Sequence, residues 1–309
     1  MDKFLQRLAV FFFMLLAFFA IALLVPATPR ASTSMLFAKI QKDSLLENVK
    51  SPRIILIGGS SMSMSVDSEK IKDSLGLNPV NTGVHAAIGL VFMLDHTIKY
   101  VRKGDVIVIA PEYDQFNGNF AYGAQELLRT YVDLKSKDLD ILRFQQVKNM
   151  MEYVPTFAIS KLKPSEYKKS ADDAVYLRDA FNEYGDCSKR LPDHGPNTLV
   201  FQALSEPFNP DMIQELKNFE KKANDKGAKV ILTFPAFQEA SYNNSAAMIK
   251  QVEKAYHSNG FTIIGNALEY RFPNELMYDT PYHLTTKGIE IRTQMLIKEL
   301  LYEAHLKHE

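Results

Sequence analysis

One serine follows a predicted strand and two glycines in a way that suits nucleophilic chemistry. The segment IILIGGSS reads as a buried strand that runs into Gly58 and Gly59 and then into Ser60. Such glycines let the chain turn tightly and leave the next side chain at the carboxyl edge of a parallel sheet, where open α/β folds have their sites. Ser60 would begin the next helix, whose amide groups stabilise negative charge. Ser61 is the alternative nucleophile, but the apolar run ends directly before the glycines, which favours Ser60.

A histidine near the carboxyl terminus is of the type needed to activate a serine. His283 lies in the segment YDTPYHLTTKG, with Asp279 before it and a predicted helix after it. A histidine on a loop at the sheet edge, near a carboxylate and opposite an exposed serine, has the parts of an activated nucleophile. The same segment would also suit a capping loop for the last helix. With the serine segment it suggests Ser60 as nucleophile and His283 as base, with the carboxylate of Asp279 nearby.

Together these segments resemble the SGNH hydrolases, also called GDSL-type hydrolases. In that family the nucleophile lies in a Gly-Asp-Ser block after the first strand, and the base lies in an Asp-x-x-His block near the carboxyl terminus. The segment VNTGVHAAIG resembles the second family block, in which Gly83 matches the glycine whose amide binds the oxyanion. The resemblance covers about residues 52–300 and is strongest to membrane-anchored envelope proteins with GGSS, NxG, PEY and YHLxxxG segments.

The third family block departs from the pattern. It normally provides an oxyanion-binding Asn, but here the predicted strand runs into the sequence PEYD, so Tyr113 takes the Asn position. Loss of one such donor reduces the rate roughly a hundredfold or more, although the Ser60 and Gly83 amides could suffice for a slow enzyme. Asn117 or Asn119 could take its place. We therefore expect Asn117 and Tyr113 to contact the substrate.

The histidine block also departs from the pattern, because Asp279 stands four residues before His283 where the family has three. The proline between them would let the loop bulge and return the carboxylate to the imidazole. The resemblance then implies that Ser60 attacks an ester carbonyl and that His283 takes and returns the proton. The amides of Ser60 and Gly83 would receive the oxyanion.

The resemblance implies acyl transfer at the cell envelope. Membrane-tethered members of the superfamily remove O-acyl groups from envelope or secreted polysaccharides, or accept an acyl group passed by a multispanning acyltransferase. We therefore expect a polysaccharide esterase or O-acyltransferase, with no cofactor beyond the acyl donor and with a multispanning membrane O-acyltransferase as candidate partner. The alternative is a catalytically weak glycan-binding or assembly factor on the same fold, which both departures favour.

Other polar residues are expected to have structural roles. His85 and His96 lie in or beside an apolar helical segment. The segment FNEYGD, residues 181–186, would either line the substrate cleft or form an ordinary turn at Gly185. No histidine and carboxylate have metal-ligand spacing on one helix, so no metal is predicted.

Composition narrows the class of protein. The 309 residues are 46% hydrophobic, which suits one large folded domain. Lys plus Arg and Asp plus Glu each total 36, so no net charge favours nucleic acid as a partner. The single cysteine, Cys187, excludes an internal disulfide and any cysteine-based zinc cluster.

An apolar N-terminal run predicts membrane attachment. Residues 8–25 form an uncharged stretch of 18 residues preceded by Lys3 and Arg7. That length just spans a bilayer as a helix, and we favour an uncleaved anchor over a signal peptide cleaved near residues 25–27 or a buried core helix. Lys3 and Arg7 favour a cytoplasmic N-terminus, while Arg30, Lys39 and Lys42 lie on the other flank of the run. We expect a single-pass cell-membrane protein whose catalytic domain lies outside the cytoplasm.

The remaining pattern alternates apolar runs with amphipathic segments. We predict an anchor and linker over residues 1–34 and one domain over 35–309, with an insertion or cap at about 117–209 where the alternation breaks down. The predicted strands are 53–57, 105–110, 229–233 and 261–264, and the predicted helices are 68–74, 91–101, 210–226, 246–258 and 286–305. Uniformly apolar strands between helices indicate a parallel sheet covered on both faces. The fold is thus α/β, and the resemblance implies a three-layer, flavodoxin-like SGNH domain after a transmembrane helix.

Overall fold

An α/β domain follows a long N-terminal helix in the computed structural model, which describes residues 2–168, 174–188 and 202–305. The helices are α1 (Asp2–Leu24), α2 (Pro29–Thr33), α3 (Lys39–Asn48), α4 (Ser60–Ser63), α5 (Ser68–Leu75), α6 (Leu90–Thr97), α7 (Gln125–Val132), α8 (Phe144–Ser160), α9 (Asp211–Asp225), α10 (Glu239–Ser258) and α11 (Thr286–His305). The strands are β1 (Arg53–Ile57), β2 (Asn78–Asn81), β3 (Val106–Ile109), β4 (Lys229–Leu232), β5 (Phe237–Gln238) and β6 (Arg271–Phe272). Short 3-10 turns connect several of these elements.

The main sheet is parallel and has β1 near its centre. Its strand order is β2-β1-β3-β4, and Ile55 of β1 pairs with Val80 on one side and Ile107 on the other. The predicted strand at 261–264 is reduced to one parallel bridge between Leu232 and Ile263. The chain leaves the sheet edge there because it turns at Gly265, where φ is 68°. The predicted parallel α/β sheet is confirmed, and β5 and β6 form a separate two-stranded pair.

Helices cover both faces of the sheet. Ile54 and Leu56 of β1 pack in one core cluster, which also holds Leu296 of α11. Ile55 and Ile57 pack in a larger cluster on the other face, with residues of α6, α9 and α10. Because alternate side chains of a strand point to opposite faces, double coverage explains why every residue of RIILI is buried.

One helix begins earlier than its sequence suggested. We predicted a start at residue 246, but α10 begins at Glu239 and includes the polar stretch SYNNS. Ser241 Oγ accepts a hydrogen bond from the Gln202 amide at 2.9 Å, and Ser245 Oγ accepts one from the Leu204 amide at 3.1 Å. The serines that resemble loop residues therefore attach a neighbouring segment to the helix.

The predicted linker is folded against the domain. Thr28 caps α2 by accepting a hydrogen bond from the Ala31 amide, and its hydroxyl donates to Glu166 Oε2 at 2.8 Å. Ser34 then forms a β-bridge with Leu177. Residues 26–34 are thus a packed connection, because their small polar side chains cap and pair with residues far along the chain.

The region predicted as an insertion contains helices α7 and α8 and several 3-10 turns. Within the described parts of 117–209 there is no strand longer than an isolated bridge, while residues 169–173 and 189–201 of the predicted insertion lie outside the described residues. At the other end of the chain, α1 is long and apolar enough to span a membrane, and only 6% of its most apolar stretch is buried.

Candidate active site

Ser60 lies where β1 ends and α4 begins, with its hydroxyl facing His283. Ser60 Oγ is 2.9 Å from His283 Nε2, which is hydrogen-bond distance. Ser61 is fully buried and its Oγ contacts no hydrogen-bonding group within the described chain. The strand register that favoured Ser60 over Ser61 therefore agrees with the geometry.

Gly59 is required by close packing around this turn. A side chain there would collide with a carboxylate oxygen of Glu112 and would approach the Ala86 side chain to 2.9 Å. Position 59 is therefore suited to glycine, because Glu112 and the segment after β2 press against it.

The loop that carries His283 also carries Asp279 back to it. Asp279 Oδ1 is 2.9 Å from His283 Nδ1, in spite of the four-residue spacing. A β-bridge between Met277 and Leu284 closes the loop, and the Tyr278 amide donates to the His283 carbonyl at 2.8 Å. Since the loop closes on itself like a hairpin, the extra residue lies at its tip and the two side chains meet.

Tyr176, which the sequence analysis missed, completes this group. Its hydroxyl donates a short hydrogen bond to Asp279 Oδ2 and lies 3.0 Å from His283 Nδ1. Burial alone would raise the pKa of Asp279, but the hydrogen bonds from His283 and Tyr176 and the attraction of the imidazole leave that pKa below its usual value. Asp279 is therefore held in its charged form. Nothing in the sequence distinguishes Tyr176 from the other tyrosines of the predicted insertion.

Glu112, also missed, lies directly after β3 on the other side of Ser60. It is 4% exposed, and its Oε1 accepts a hydrogen bond from the Ser61 amide at 2.9 Å. Burial raises the pKa of Glu112, the Ser61 amide works against that rise, and the charge of Asp114 adds to it. A neutral Glu112 can donate a hydrogen bond as well as accept one. Its place at the carboxyl end of a parallel strand is the signal that could have identified it.

The oxyanion donors predicted from the sequence are only partly available. The Ser60 amide has no acceptor among the described residues, so it is free to bind an oxyanion. The Gly83 amide instead donates to Asn81 Oδ1 at 3.0 Å, and Gly83 packs behind α4 with no room for a side chain. Our prediction for Gly83 is therefore wrong in this conformation, because its N–H is already used inside the protein.

A buried network explains why Gly83 has this structural role. Lys42 Nζ donates to the carbonyls of Asn81, Gly83 and Gly185. Asp186 accepts a hydrogen bond from Asn81 Nδ2 at 2.7 Å. Burial lowers the pKa of Lys42 and raises that of Asp186, and the attraction between the two opposes both changes. Of the two alternatives for FNEYGD, a structural one applies to Asp186.

The two predicted substrate contacts lie away from the cleft. Tyr113 is 1% exposed and packs edge-on against Phe237 in the core. Asn117 forms a β-bridge with Phe208 and is not among the residues that line the cleft beside Ser60. Both predictions are corrected, because the 3-10 turn at residues 113–116 places Tyr113 in the core and leaves Asn117, the residue after it, half-buried and outside the cleft lining.

The cleft beside Ser60 has a volume of about 350 Å³ and a mixed polar and aromatic lining. Its walls are Met35, Ser60, His85, Ala86, Glu112, Asp114, Phe120, Tyr176, Gln202, Thr280, Pro281, Tyr282 and His283. One side of the cleft is held by the Tyr282 hydroxyl, which donates to Asp114 Oδ2 at 2.7 Å. The residues that could contact a substrate thus come from eight separate parts of the chain.

His85 has the structural role that we predicted, since it caps the turn that follows it, and it also lines the cleft. Its Nδ1 accepts a hydrogen bond from the Ala87 amide at 3.1 Å, so the neutral ring carries its proton on Nε2. Burial lowers the pKa of His85, nearby Glu126 opposes this, and His283 lowers it further. A neutral His85 can therefore donate a hydrogen bond to a bound ligand.

Neither a metal site nor a match to a known protein helps to identify the function of this cleft. Among the described residues, no group of three or more His, Cys, Asp or Glu side chains could hold a metal ion. In comparisons with known proteins, no family model matches the chain, and no curated protein matches it significantly.

Proposed function

We propose that this protein is a membrane-tethered, serine-dependent acyl-transfer enzyme with the mechanism of the SGNH hydrolases. The observation that carries the proposal is the chain of hydrogen-bond contacts from Ser60 Oγ through His283 to Asp279, each 2.9 Å long. Three residues from two distant segments meet in the order nucleophile, base and orienting carboxylate. The parallel sheet, with Ser60 placed just after the end of β1, supports this fold assignment.

In the proposed reaction, Ser60 Oγ attacks the carbonyl carbon of an ester while its proton passes to His283 Nε2. Charged Asp279 stabilises the imidazolium through Nδ1, and Tyr176 holds Asp279 in place. When the tetrahedral intermediate collapses, His283 returns the proton to the leaving alcohol. Water or a sugar hydroxyl then attacks the acyl-enzyme by the same route, which gives hydrolysis or transfer respectively.

The oxyanion is proposed to bind the Ser60 amide and the carboxyl group of neutral Glu112. In this arrangement Glu112 takes the place of the donors that are missing here, the family's Asn and the Gly83 amide. An acid kept neutral by an apolar, buried setting is a known type of oxyanion donor. The raised pKa of Glu112 and its contact with the Ser61 amide, next to Ser60, support the assignment.

The proposed substrate is an O-acylated polysaccharide of the cell envelope or a secreted one. A cleft of about 350 Å³ with several polar walls suits a sugar with an acyl substituent. The apolar helix α1 supports a single-pass protein of the cell membrane whose domain lies outside the cytoplasm. A multispanning membrane O-acyltransferase remains the proposed source of acyl groups if the reaction is transfer.

Labelling of the purified, full-length protein with a fluorophosphonate tests the proposal. We expect the probe to attach to Ser60, and the Ser60→Ala variant to remain unlabelled. Ser61→Ala is the matched control, because Ser61 is buried beside Ser60 and should leave labelling unchanged. A folded wild-type protein that resists the probe would contradict the enzyme assignment.

The second candidate function is a glycan-binding or assembly factor, which the internally bonded Gly83 amide favours. The degree of polysaccharide acylation in cells separates the two. If Ser60→Ala restores a deletion strain completely, the cleft binds without catalysis. If Ser60→Ala behaves like the deletion, catalysis is required.

A further inference from the structure

Large apolar side chains are exposed on one stripe of α8 as well as on α1. Those on and just after α8 are Phe144, Val147, Met151, Ile159 and Leu162, with exposed fractions of 83%, 39%, 62%, 53% and 67%. Their spacing places them on one side of the helix, together with exposed Pro155. We call this set the α8 stripe. Elsewhere in the described domain, large exposed apolar residues are few and scattered.

The α8 stripe lies on a helix that contacts the predicted membrane span. Phe19 and Leu23 of α1 pack against the core cluster that contains Met150, Val154 and Phe157 of α8. Lys161, just after α8, donates to the Pro26 carbonyl at 3.0 Å and pairs with Asp133 at 2.7 Å. The end of α1 is therefore fastened to α8.

This packing sets the depth of α8 relative to a bilayer. Phe19 precedes Val25, the end of the apolar run, by six residues, which is about 9 Å along a helix. If α1 spans the membrane, the Phe19 side chain lies inside the hydrocarbon layer, whose thickness is about 30 Å. The part of α8 that reaches Phe19 must lie within the same leaflet, unless protein surrounds it.

We infer that the α8 stripe is a second membrane-binding surface, which lies in the acyl-chain region of the leaflet on the domain side. This inference rests on the proposed insertion of α1. The stripe has the form of an interfacial helix, because its apolar side is bordered by exposed Lys148 and Lys163, whose charged ends can reach the lipid headgroups.

Lipid is a better occupant than a second copy of the chain. The stripe lies on a helix that packs against α1, and on α1 Phe13 and Leu16 are 72% and 66% exposed. A bilayer that surrounds α1 would also cover the α8 stripe, with no need for a second partner. A protein partner would have to cover α8 while leaving α1 in contact with lipid.

Membrane contact at α8 would also place the active-site cleft near the bilayer. Asn149 of α8 donates to the Gly123 carbonyl at 2.9 Å and to the Asn119 carbonyl at 3.3 Å. These bonds hold the turn at residues 120–122, from which Phe120 reaches the cleft wall. The cleft is therefore linked to the membrane-contacting helix through one short turn.

Single tryptophans test this inference directly, since the natural chain contains no Trp. Full-length Met151→Trp is reconstituted in phosphatidylcholine and phosphatidylglycerol vesicles whose acyl chains are brominated. We expect its emission to shift to shorter wavelength and to be quenched about as strongly as that of Phe13→Trp. Tyr302→Trp is the matched control, because Tyr302 is 66% exposed on α11 and should remain unquenched.

The outcomes separate the stripe from the anchor. If Phe13→Trp is quenched and Met151→Trp behaves like Tyr302→Trp, α1 inserts and the inference for α8 is overturned. If neither is quenched, membrane insertion itself fails, and the inference fails with it. If Met151→Trp is shielded only at high protein-to-lipid ratio, a second copy covers the stripe and lipid does not.

Discussion

Two buried histidines in this protein have almost the same carboxylate contact but different surroundings. His283 Nδ1 lies 2.9 Å from Asp279, and His96 Nδ1 lies 2.6 Å from Asp138. Both imidazole side chains are nearly inaccessible, with exposed fractions of 5% and 7%. A histidine and carboxylate pair therefore does not by itself identify a base.

The opposite ring nitrogen distinguishes the two pairs. His283 Nε2 faces the Ser60 hydroxyl at 2.9 Å, at the wall of a cleft. His96 Nε2 faces Asp43 at 2.9 Å, so both of its nitrogens contact carboxylates. Burial alone would lower the pKa of His96, but hydrogen bonds to Asp138 and Asp43 raise it above the usual value. One ring can exchange a proton with a hydroxyl, whereas the other links two carboxylates within the fold.

Replacement of His283 is expected to have the largest effect on activity. His283→Gln removes the proton acceptor, and hydrolysis of p-nitrophenyl acetate should fall by roughly 10⁴-fold or more. His96→Gln is the matched control and should retain its activity. Equal losses in the two variants, both still folded by circular dichroism, would remove the distinction between the pairs.

Replacement of Glu112 is expected to have the second-largest effect on activity, because Glu112 is the proposed second oxyanion donor. Glu112→Ala is expected to lower kcat about a hundredfold, whereas Glu112→Gln keeps a donor group and should lose much less. Since the pKa of Glu112 is raised, its donor form persists to higher pH than for an ordinary glutamate and is lost above that pKa. The resulting decrease in wild-type rate should be absent in Glu112→Gln. A Gln variant as inactive as the Ala variant would instead require a charged Glu112.

Tyr176 should have a smaller effect, because it acts through Asp279. Tyr176→Phe removes one hydrogen bond to a charged carboxylate, and we expect a loss of about three- to tenfold in kcat. The pKa of Asp279 is below its usual value in the native protein, so loss of the Tyr176 bond should raise it. The NMR titration of the Asp279 carboxyl should therefore move to higher pH. An unchanged titration would assign Tyr176 to packing alone.

His96 should affect stability and leave the chemistry unchanged. His96→Gln should lower the free energy of unfolding by about 1–3 kcal/mol, since it breaks hydrogen bonds to charged groups. Because the folded-state pKa of His96 is raised, its contribution is complete below the unfolded pKa of about 6.5 and is lost as pH rises through the folded pKa. Urea unfolding across this range should show a pH-dependent part that is absent in His96→Gln.

Local patterns were sufficient for much of the fold and for two site residues. The strands at 53–57 and 229–232 and the helices at 68–75 and 286–305 were predicted within a residue or two, because buried strands and amphipathic helices have distinct periods. Ser60 and His283 were recognised because each stands in a short segment with its own turn residues. The Ser60–His283 distance itself could be measured only in three dimensions.

Contacts between distant segments were not predictable in the same way. In sequence, Gly83 resembles an oxyanion donor. Its amide instead donates to the Asn81 side chain, which is held in place by Asp186, over a hundred residues away. Tyr176 and Glu112 have no local pattern that points to Ser60. Asn117 and Tyr113 were misassigned because a 3-10 turn, which has no distinctive sequence period, rotates them away from the cleft.

The sequence by itself determined the parallel α/β class, the apolar N-terminal helix and the positions of Ser60 and His283 at the ends of predicted elements. These follow from hydrophobic period and turn chemistry, which act over a few residues. Only the tertiary structure decided which groups surround that pair, and which of two histidine–carboxylate pairs faces a hydroxyl. Those choices depend on packing between segments that are remote in the chain, where no local rule operates.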